Sequence, residues 1–205
     1  MPKPVFSLLA AQQSRSRATT ARFIDAAGRL LETQPWEEVS VERLTEEAEL
    51  STGAFYKRFR AKDDVLAAIV EQALAEGQAQ TQRLLAVRGG LKDRVASLIQ
   101  LLSEGWRLRD TAVRAAKAIK DPRHLKSLRV QSTQTQATIT VWLLERRAEF
   151  SHPSPETAIM AAFPLILGAL QSALTNGQWS PPQRTLFTQE TARMLTAYFM
   201  ATIPE

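Results

Sequence analysis

The segment from Ser51 to Lys62 combines hydroxyl, aromatic and cationic side chains at spacings that suit phosphate binding. Its sequence is Ser-Thr-Gly-Ala-Phe-Tyr-Lys-Arg-Phe-Arg-Ala-Lys, without an acidic residue. Phe55 and Phe59 are four residues apart, so a helix places both rings on one face, where we expect them to be buried. The opposite face then carries hydroxyl groups and cations. We predict a recognition helix, the second helix of a helix-turn-helix; the alternative is an ordinary amphipathic surface helix.

The residues before this segment supply the elements that would position it. Residues 1–17 are rich in Pro, Ser, Gln and Arg, and we predict a flexible basic arm there. From Ala18 apolar residues recur at helical spacing, and Pro35 ends this first helix because it disfavours helical geometry at the preceding residue. Trp36 and Val39 are expected in the core. Ser40 is the expected N-cap of a second helix, which a Glu49-Leu50 turn connects to the 51–62 segment.

This order of elements resembles the DNA-binding domain of the tetracycline-repressor (TetR) family. The resemblance runs from about Ala18 to Val70, and its specific parts are residues 51–59 and the Lys-Asp-Asp-Val-Leu sequence at 62–66. Glu49 stands where the family usually has Gly, and a positive φ there costs a glutamate about 1 kcal/mol. Pro35 and Ala61 also depart from the family pattern. The resemblance implies a helix-turn-helix domain at residues 18–70 and a helical ligand-binding and dimerisation domain at residues 71–205.

The predicted DNA contacts are polar or small residues on the expected outer face: Arg17, Ser40, Ser51, Thr52, Gly53, Tyr56, Lys57 and Lys62. Tyrosine and lysine side chains suit phosphates, and Thr52 at the start of the helix suits base edges. Gly53 either allows close approach to DNA or is only a weak point in the helix. For Ser40 the alternative is capping alone. For Arg17, as for Arg15, it is a disordered arm with non-specific attraction.

The C-terminal part of the chain shows helical patterns throughout, with a clear break at Gly89-Gly90. The candidates for lining a ligand cavity are Trp106, Gln134, Thr138, Trp142 and Phe163. The alternative for the three aromatic residues is ordinary core packing. Gln134 and Thr138 belong to an uncharged polar run, Gln131–Thr140, which either binds a polar ligand group or faces solvent. Several cations either attract an acidic ligand or form a solvated face: Arg107, Arg109, Arg114, Lys117 and Lys120.

Residues 158–174 are apolar around nearly the whole circumference of a helix. Such a helix is expected to be buried both by its own core and by a partner. Pro164 removes one backbone hydrogen bond and is expected to bend it. In the TetR family the last two helices form a homodimeric four-helix bundle. The resemblance therefore implies an interface that contains Ala161, Ile166, Gly168, Ala169, Leu195 and Tyr198.

Composition narrows the possible classes of function. The chain has 205 residues, a net charge of +5 and no cysteine, which excludes disulfides and thiolate metal sites and fits a reducing cytoplasm. Its two histidines, His124 and His152, are far apart, so a metal site or histidine-based catalysis is not expected. The N-terminus lacks a signal-peptide pattern, and residues 158–170 are too short to span a bilayer. We therefore predict a cytoplasmic protein without a membrane partner.

The combined prediction is an all-α transcriptional regulator with no cofactor and no catalytic residues. The resemblance implies that it binds palindromic double-stranded operator DNA as a homodimer and, as a repressor, is released by a small-molecule effector. The alternative is a helical architectural or protein-interaction DNA-binding protein without a ligand. An enzyme ranks third, because the sequence contains neither a Gly-rich phosphate loop nor a Ser/His/Asp arrangement.

Overall fold

Every regular element in the described part of the chain is a helix. This computed structural model describes residues 5–119, 121–175 and 180–201, with side chains over 16–119, 121–173 and 180–201. The α-helices are α1 Val5–Thr33, α2 Val41–Ala48, α3 Thr52–Tyr56, α4 Asp63–Leu85, α5 Leu91–Glu104, α6 Trp106–Ala118, α7 Pro122–Leu144, α8 Pro155–Thr175 and α9 Pro181–Met200. The all-α class is confirmed. The side chain of Arg15 and all of Lys120 lie outside the described residues.

Several predicted boundaries agree with the structure, and others differ. Helix α1 ends at Thr33, and Pro35 precedes a short 3-10 helix at Trp36–Glu38. Trp36 and Val39 are buried, as expected. However, α1 begins at Val5 rather than at Ala18, so residues 5–17 of the predicted flexible arm are helical. Helix α3 stops at Tyr56, although Phe59 N–H still donates to the Phe55 carbonyl.

The chain divides into two compact units. The first contains Met1–Ala73 and Thr111–Lys126, and the second contains Leu74–Asp110 and Ser127–Glu205. The sequence predicted a domain boundary near the first of these division points, but did not place residues 111–126 with the N-terminal part. This segment packs closely on α1, because a Cβ added at Gly28 would lie 3.3 Å from Thr111 Cγ2.

The second unit has one apolar core, to which side chains from α4, α5, α6, α7, α8 and α9 contribute. Arg94 is buried within it: its guanidinium lies 4.8 Å above the Trp142 ring, donates to the Trp142 carbonyl and pairs with Glu145 at 2.8 Å. These contacts hold the C-terminal turn of α7. Helix α7 ends at Leu144, and a 3-10 helix at Arg147–Glu149 follows it.

Helix α8 is longer than its apolar segment suggested. Residues Pro155–Ala173 are long and apolar enough, by length and composition alone, to cross a membrane, whereas the sequence analysis judged residues 158–170 too short. Core helices of soluble proteins meet the same criterion. One side of α8 does belong to the core of the second unit, through Ala158, Ile159, Ala162, Phe163, Ile166 and Leu170.

Candidate nucleic-acid interface

Helix α3 presents a polar, exposed start. Ser51 is its N-cap, and the Ser51 hydroxyl accepts a hydrogen bond from Ala54 N–H at 3.1 Å. Ser51, Thr52 and Gly53 are all exposed, as is Lys57 at the C-cap, and 58% of Tyr56 is accessible to solvent. The predicted polar front therefore exists as a surface and contains no acidic side chain.

Three aromatic rings fix the opposite face of α3. Phe55 packs edge-on against Phe23 of α1 at 5.5 Å between ring centroids, and Phe59 packs edge-on against the same ring at 5.9 Å. All three rings are buried. An α3 of five residues is too short to be stable alone, so these contacts determine where its outer face points.

Gly53 has no steric role inside the protein. A Cβ built at this position would have a single neighbour, Ser51 Oγ at 3.9 Å, and the glycine is exposed. Its backbone φ is not positive. Another residue would therefore fit the free protein, and the sequence interpretation of Gly53 as an allowance for an approaching duplex has no competing explanation from packing.

The turn before α3 contains a strained residue. Glu49 has φ 53° and ψ 45° and is the one non-glycine residue with positive φ in the described part of the chain. This is the positive φ that costs a glutamate more than the glycine usual at this position. Arg22 of α1 donates to both the Glu49 carbonyl at 3.1 Å and its carboxylate at 3.0 Å. This clamp, which the sequence analysis missed, holds the strained turn against α1.

Lys62 is engaged inside the protein. Its ammonium donates to the Trp36 carbonyl at 2.7 Å and the Val39 carbonyl at 2.6 Å, and lies 5.2 Å from the centroid of the Trp36 ring. The Trp36 indole donates in turn to Asp63 at 2.9 Å. The lysine predicted to bind phosphate therefore joins the start of α4 to the connection between α1 and α2.

Asp64, in the first turn of α4, binds the backbone just before the helix, where Ala61 lacks a capping side chain. Asp64 accepts hydrogen bonds from the backbone N–H groups of Arg60 at 2.7 Å and Ala61 at 3.0 Å. The departure at Ala61 is therefore offset from within the first turn of α4.

Ser40 serves as the predicted cap of α2. Its hydroxyl accepts from Arg43 N–H at 3.0 Å. Hydrogen bonds from the backbone of Glu42 and then from the Ser40 hydroxyl hold the pKa of the Glu42 carboxyl below its ordinary value. A charged Glu42 beside Ser40 opposes a phosphate there, which favours the capping interpretation.

Arg17 is exposed on α1.

The predicted ligand residues fall into two groups. Trp106, Trp142 and Phe163 are buried together in the core of the second unit. Gln134 and Thr138 are exposed, and the Thr138 hydroxyl donates to the Gln134 carbonyl at 2.9 Å. Ile139 and Trp142 of the same helix are buried, so within the single chain Gln134 and Thr138 are not enclosed together with the aromatic residues. Gln131 is the inward amide, donating to the Leu74 carbonyl at 2.6 Å.

The predicted interface residues also divide. Ala161, Gly168 and Tyr198 are exposed and Ala169 is half-buried. Ile166 and Leu195, by contrast, are buried in the core of their own chain, so neither is available to a partner.

In the described part of the chain no group of three or more acidic, histidine or cysteine side chains is placed to hold a metal ion.

The chain is similar to known regulators in both sequence and fold. Residues 23–69 match the family model of bacterial regulatory proteins, tetR family. No curated protein sequence matches the chain.

Three solved structures illustrate the similarity of fold. A transcriptional regulator (TerR/AcrR family) of Aquifex aeolicus is 14% identical with a TM-score of 0.65, over 88% of this chain and 99% of that one. The TetR family regulator PfmR of Thermus thermophilus is 15% identical with a TM-score of 0.66, over 89% and 100% of the two chains. AmtR of Mycobacterium smegmatis is 22% identical with a TM-score of 0.60, over 85% and 84%.

The contacts of Lys62 lead to a prediction that separates positioning from phosphate binding. Lys62→Met should lower the free energy of unfolding by about 1.5–3 kcal/mol, because two charge-assisted hydrogen bonds are lost. It should leave the salt dependence of DNA binding unchanged. Lys57→Met, at an exposed lysine, should do the reverse and lower the salt slope by about one.

Urea unfolding and DNA titrations across a range of salt concentrations measure both quantities for both variants. If Lys62→Met lowers the salt slope as much as Lys57→Met and leaves the unfolding free energy unchanged, Lys62 is a phosphate contact, as the sequence alone suggested.

Proposed function

We propose that this chain, whose residues 23–69 match the family model of bacterial regulatory proteins, tetR family, is a repressor of that family that binds a palindromic operator as a homodimer and is released by a small-molecule effector. The observation that carries the DNA-binding part is the outer face of α3, which is exposed, polar and free of acidic residues over an aromatic anchor. Such a protein acts on DNA in the cytoplasm and needs no catalytic group.

The two ends of α3 take different parts in this proposal. The exposed start, Ser51 and Thr52, meets base edges in the major groove, since the N-terminal residues of a recognition helix make such contacts. Tyr56 and Lys57 at the other end donate to phosphates, which set the register but carry no sequence information. In a symmetric dimer the two copies of α3 lie about 34–36 Å apart, one turn of B-DNA.

Substitutions of increasing size at Gly53 test whether α3 is the recognition helix. Gly53→Ala should raise the free energy of unfolding by up to about 1 kcal/mol, since alanine favours the helix and the added Cβ fits. Gly53→Val should lower affinity for an operator selected from a random duplex pool at least about 10-fold, with little effect on random DNA. Electrophoretic mobility shifts with both duplexes measure this preference. Equal operator affinity in wild type, Gly53→Ala and Gly53→Val would remove α3 from the interface.

Exposed apolar residues on α8 and α9 support the homodimer. Of the nine large hydrophobic residues that are exposed in the described part of the chain, six lie on these two helices: Met160, Leu165, Leu186, Met194, Tyr198 and Met200. Leu165 and Met194 are each 72% exposed. Apolar surface of this extent marks a protein contact. The proposed interface retains Ala161, Gly168, Ala169 and Tyr198, without the buried Ile166 and Leu195.

Gly168→Glu should convert the dimer to a monomer. No atom lies within 4 Å of a Cβ added at Gly168, so the glutamate fits a single chain and acts only by placing an unpaired charge in the seam. Gln134→Glu makes the same charge change at an exposed position of α7 and should leave the dimer intact. Sedimentation velocity distinguishes the two forms. A dimer that persists in Gly168→Glu moves the interface to another surface.

The aromatic core of the second unit supports an effector site there. Trp142 is buried, and its indole Nε1 has no hydrogen-bond acceptor among the described residues. A buried donor without a partner costs free energy, which a ligand acceptor would recover. Trp106 and Phe163 belong to the same core cluster and supply apolar surface. We therefore propose that an effector with a polar acceptor on an apolar body binds next to Trp142.

Trp142→Phe tests this site without emptying the core. Phenylalanine keeps most of the packing and removes only the N–H donor, whereas alanine would cost about 3–5 kcal/mol through the cavity alone. Operator affinity should be unchanged, and the effector concentration needed for release should rise about 5- to 10-fold. A panel of amphiphilic small molecules, screened by thermal shift and then by operator release, provides the effector. Equal release of wild type and Trp142→Phe would place the site elsewhere.

A further inference from the structure

The positive charge of the first unit comes from the segment that is separate in sequence. Residues 1–73 contain ten basic and eleven acidic residues, a net charge of −1. Residues 111–126 contain five basic residues and one acidic residue, a net charge of +4. The unit that contains the helix-turn-helix therefore has a positive surplus only because the Thr111–Lys126 segment folds with it.

Ion pairs inside the helix-turn-helix engage several of its arginines within the protein. Arg22 pairs with Glu49 at 3.0 Å, and Arg29 pairs with Glu47 at 2.6 Å. Arg43 lies between Glu46 and Glu47, at 3.5 and 3.7 Å. These arginines serve to hold α1, α2 and the turn together. Long-range attraction toward phosphate must then come mainly from other cations of the same unit.

The Thr111–Lys126 segment belongs to the first unit and contains buried small residues. Ala112, Ala115 and Ala116 are buried, and Thr111 contacts the position of Gly28 on α1. Lys117 and Lys126 are exposed. Arg123 is less available, because it forms hydrogen bonds to Asp121 and thereby lowers the pKa of that carboxyl to about 2. The segment thus carries exposed cations in the DNA-binding unit.

We propose that the Thr111–Lys126 segment is a second DNA-binding surface, on which Lys117 and Lys126 contact phosphates outside the base pairs that α3 reads. The inference rests on the proposed function, since the same duplex must occupy α3. Duplex DNA is the polyanion that this unit binds, and lysine ammonium groups suit its backbone as point charges. Such contacts add affinity for all sequences and carry no preference for the operator.

The test compares two double variants that change the net charge equally. Lys117→Gln/Lys126→Gln neutralises the proposed surface. Arg88→Gln/Lys92→Gln neutralises two exposed cations of the second unit. Dissociation constants for a random-sequence duplex are measured from low to moderate salt concentration by fluorescence anisotropy, with circular dichroism melts to confirm folding.

The first pair should lower the magnitude of the salt slope by about two and weaken binding about 10-fold or more near 0.1 M salt. The second pair should change neither. An unchanged slope for Lys117→Gln/Lys126→Gln overturns the inference, and so does an equal fall in both pairs, which would reflect net charge alone.

Two further outcomes separate this inference from the function on which it rests. Loss of binding to phosphatidylserine vesicles in the first pair, with its DNA slope intact, would assign the segment to a membrane surface and also overturn the inference. Gly53→Val should lose operator preference while keeping the wild-type slope on random DNA. A wild-type protein that prefers no operator and binds no random DNA overturns both the proposed function and the second surface.

Discussion

The packing of Phe55 and Phe59 against Phe23 is the contact on which the DNA-binding unit depends. A five-residue helix gains too few backbone hydrogen bonds to offset the cost of its first turn. Its orientation must therefore be set by tertiary contacts, and Phe23 supplies them by meeting Phe55 and Phe59 edge-on at centroid distances of 5.5 and 5.9 Å. Edge-to-face pairs of this kind add to the burial of the rings. The outer residues of α3 thus project from a rigid base.

The turn that leads into α3 contains an unfavourable backbone conformation, which a side chain of α1 stabilises. The left-handed conformation of Glu49 is unfavourable by about 1 kcal/mol relative to glycine. Arg22 offsets part of that cost by bonding both the carbonyl and the carboxylate of the same residue. Since Arg22 and Phe23 are adjacent in α1, one turn of one helix holds both the strained connection and the aromatic anchor. The orientation of α3 is therefore determined chiefly by α1.

The features that the sequence predicted are those that depend on neighbours along the chain. Capping by Ser40 and Ser51, burial of Phe55 and the break at Gly89-Gly90 follow from local spacing. The contacts of Lys62 could not be predicted, since its acceptors are 26 and 23 residues away. The inner face of α7 was also ambiguous, because Val130 and Val141 are exposed while Ile139 and Trp142 are buried. Which side of such a helix meets the core is decided by its tertiary partners.

The cations of this chain fall into two groups with different roles. Arginines of α1 and α2 are paired with Glu46, Glu47 and Glu49 and act as internal ties. These pairs are largely exposed and individually weak, and each cancels one positive and one negative charge locally without altering the polar face of α3. Under the proposed function, the surface of α3 reads sequence at short range. A separate cationic segment such as Thr111–Lys126 can then supply attraction to the DNA backbone without adding contacts that compete with base recognition.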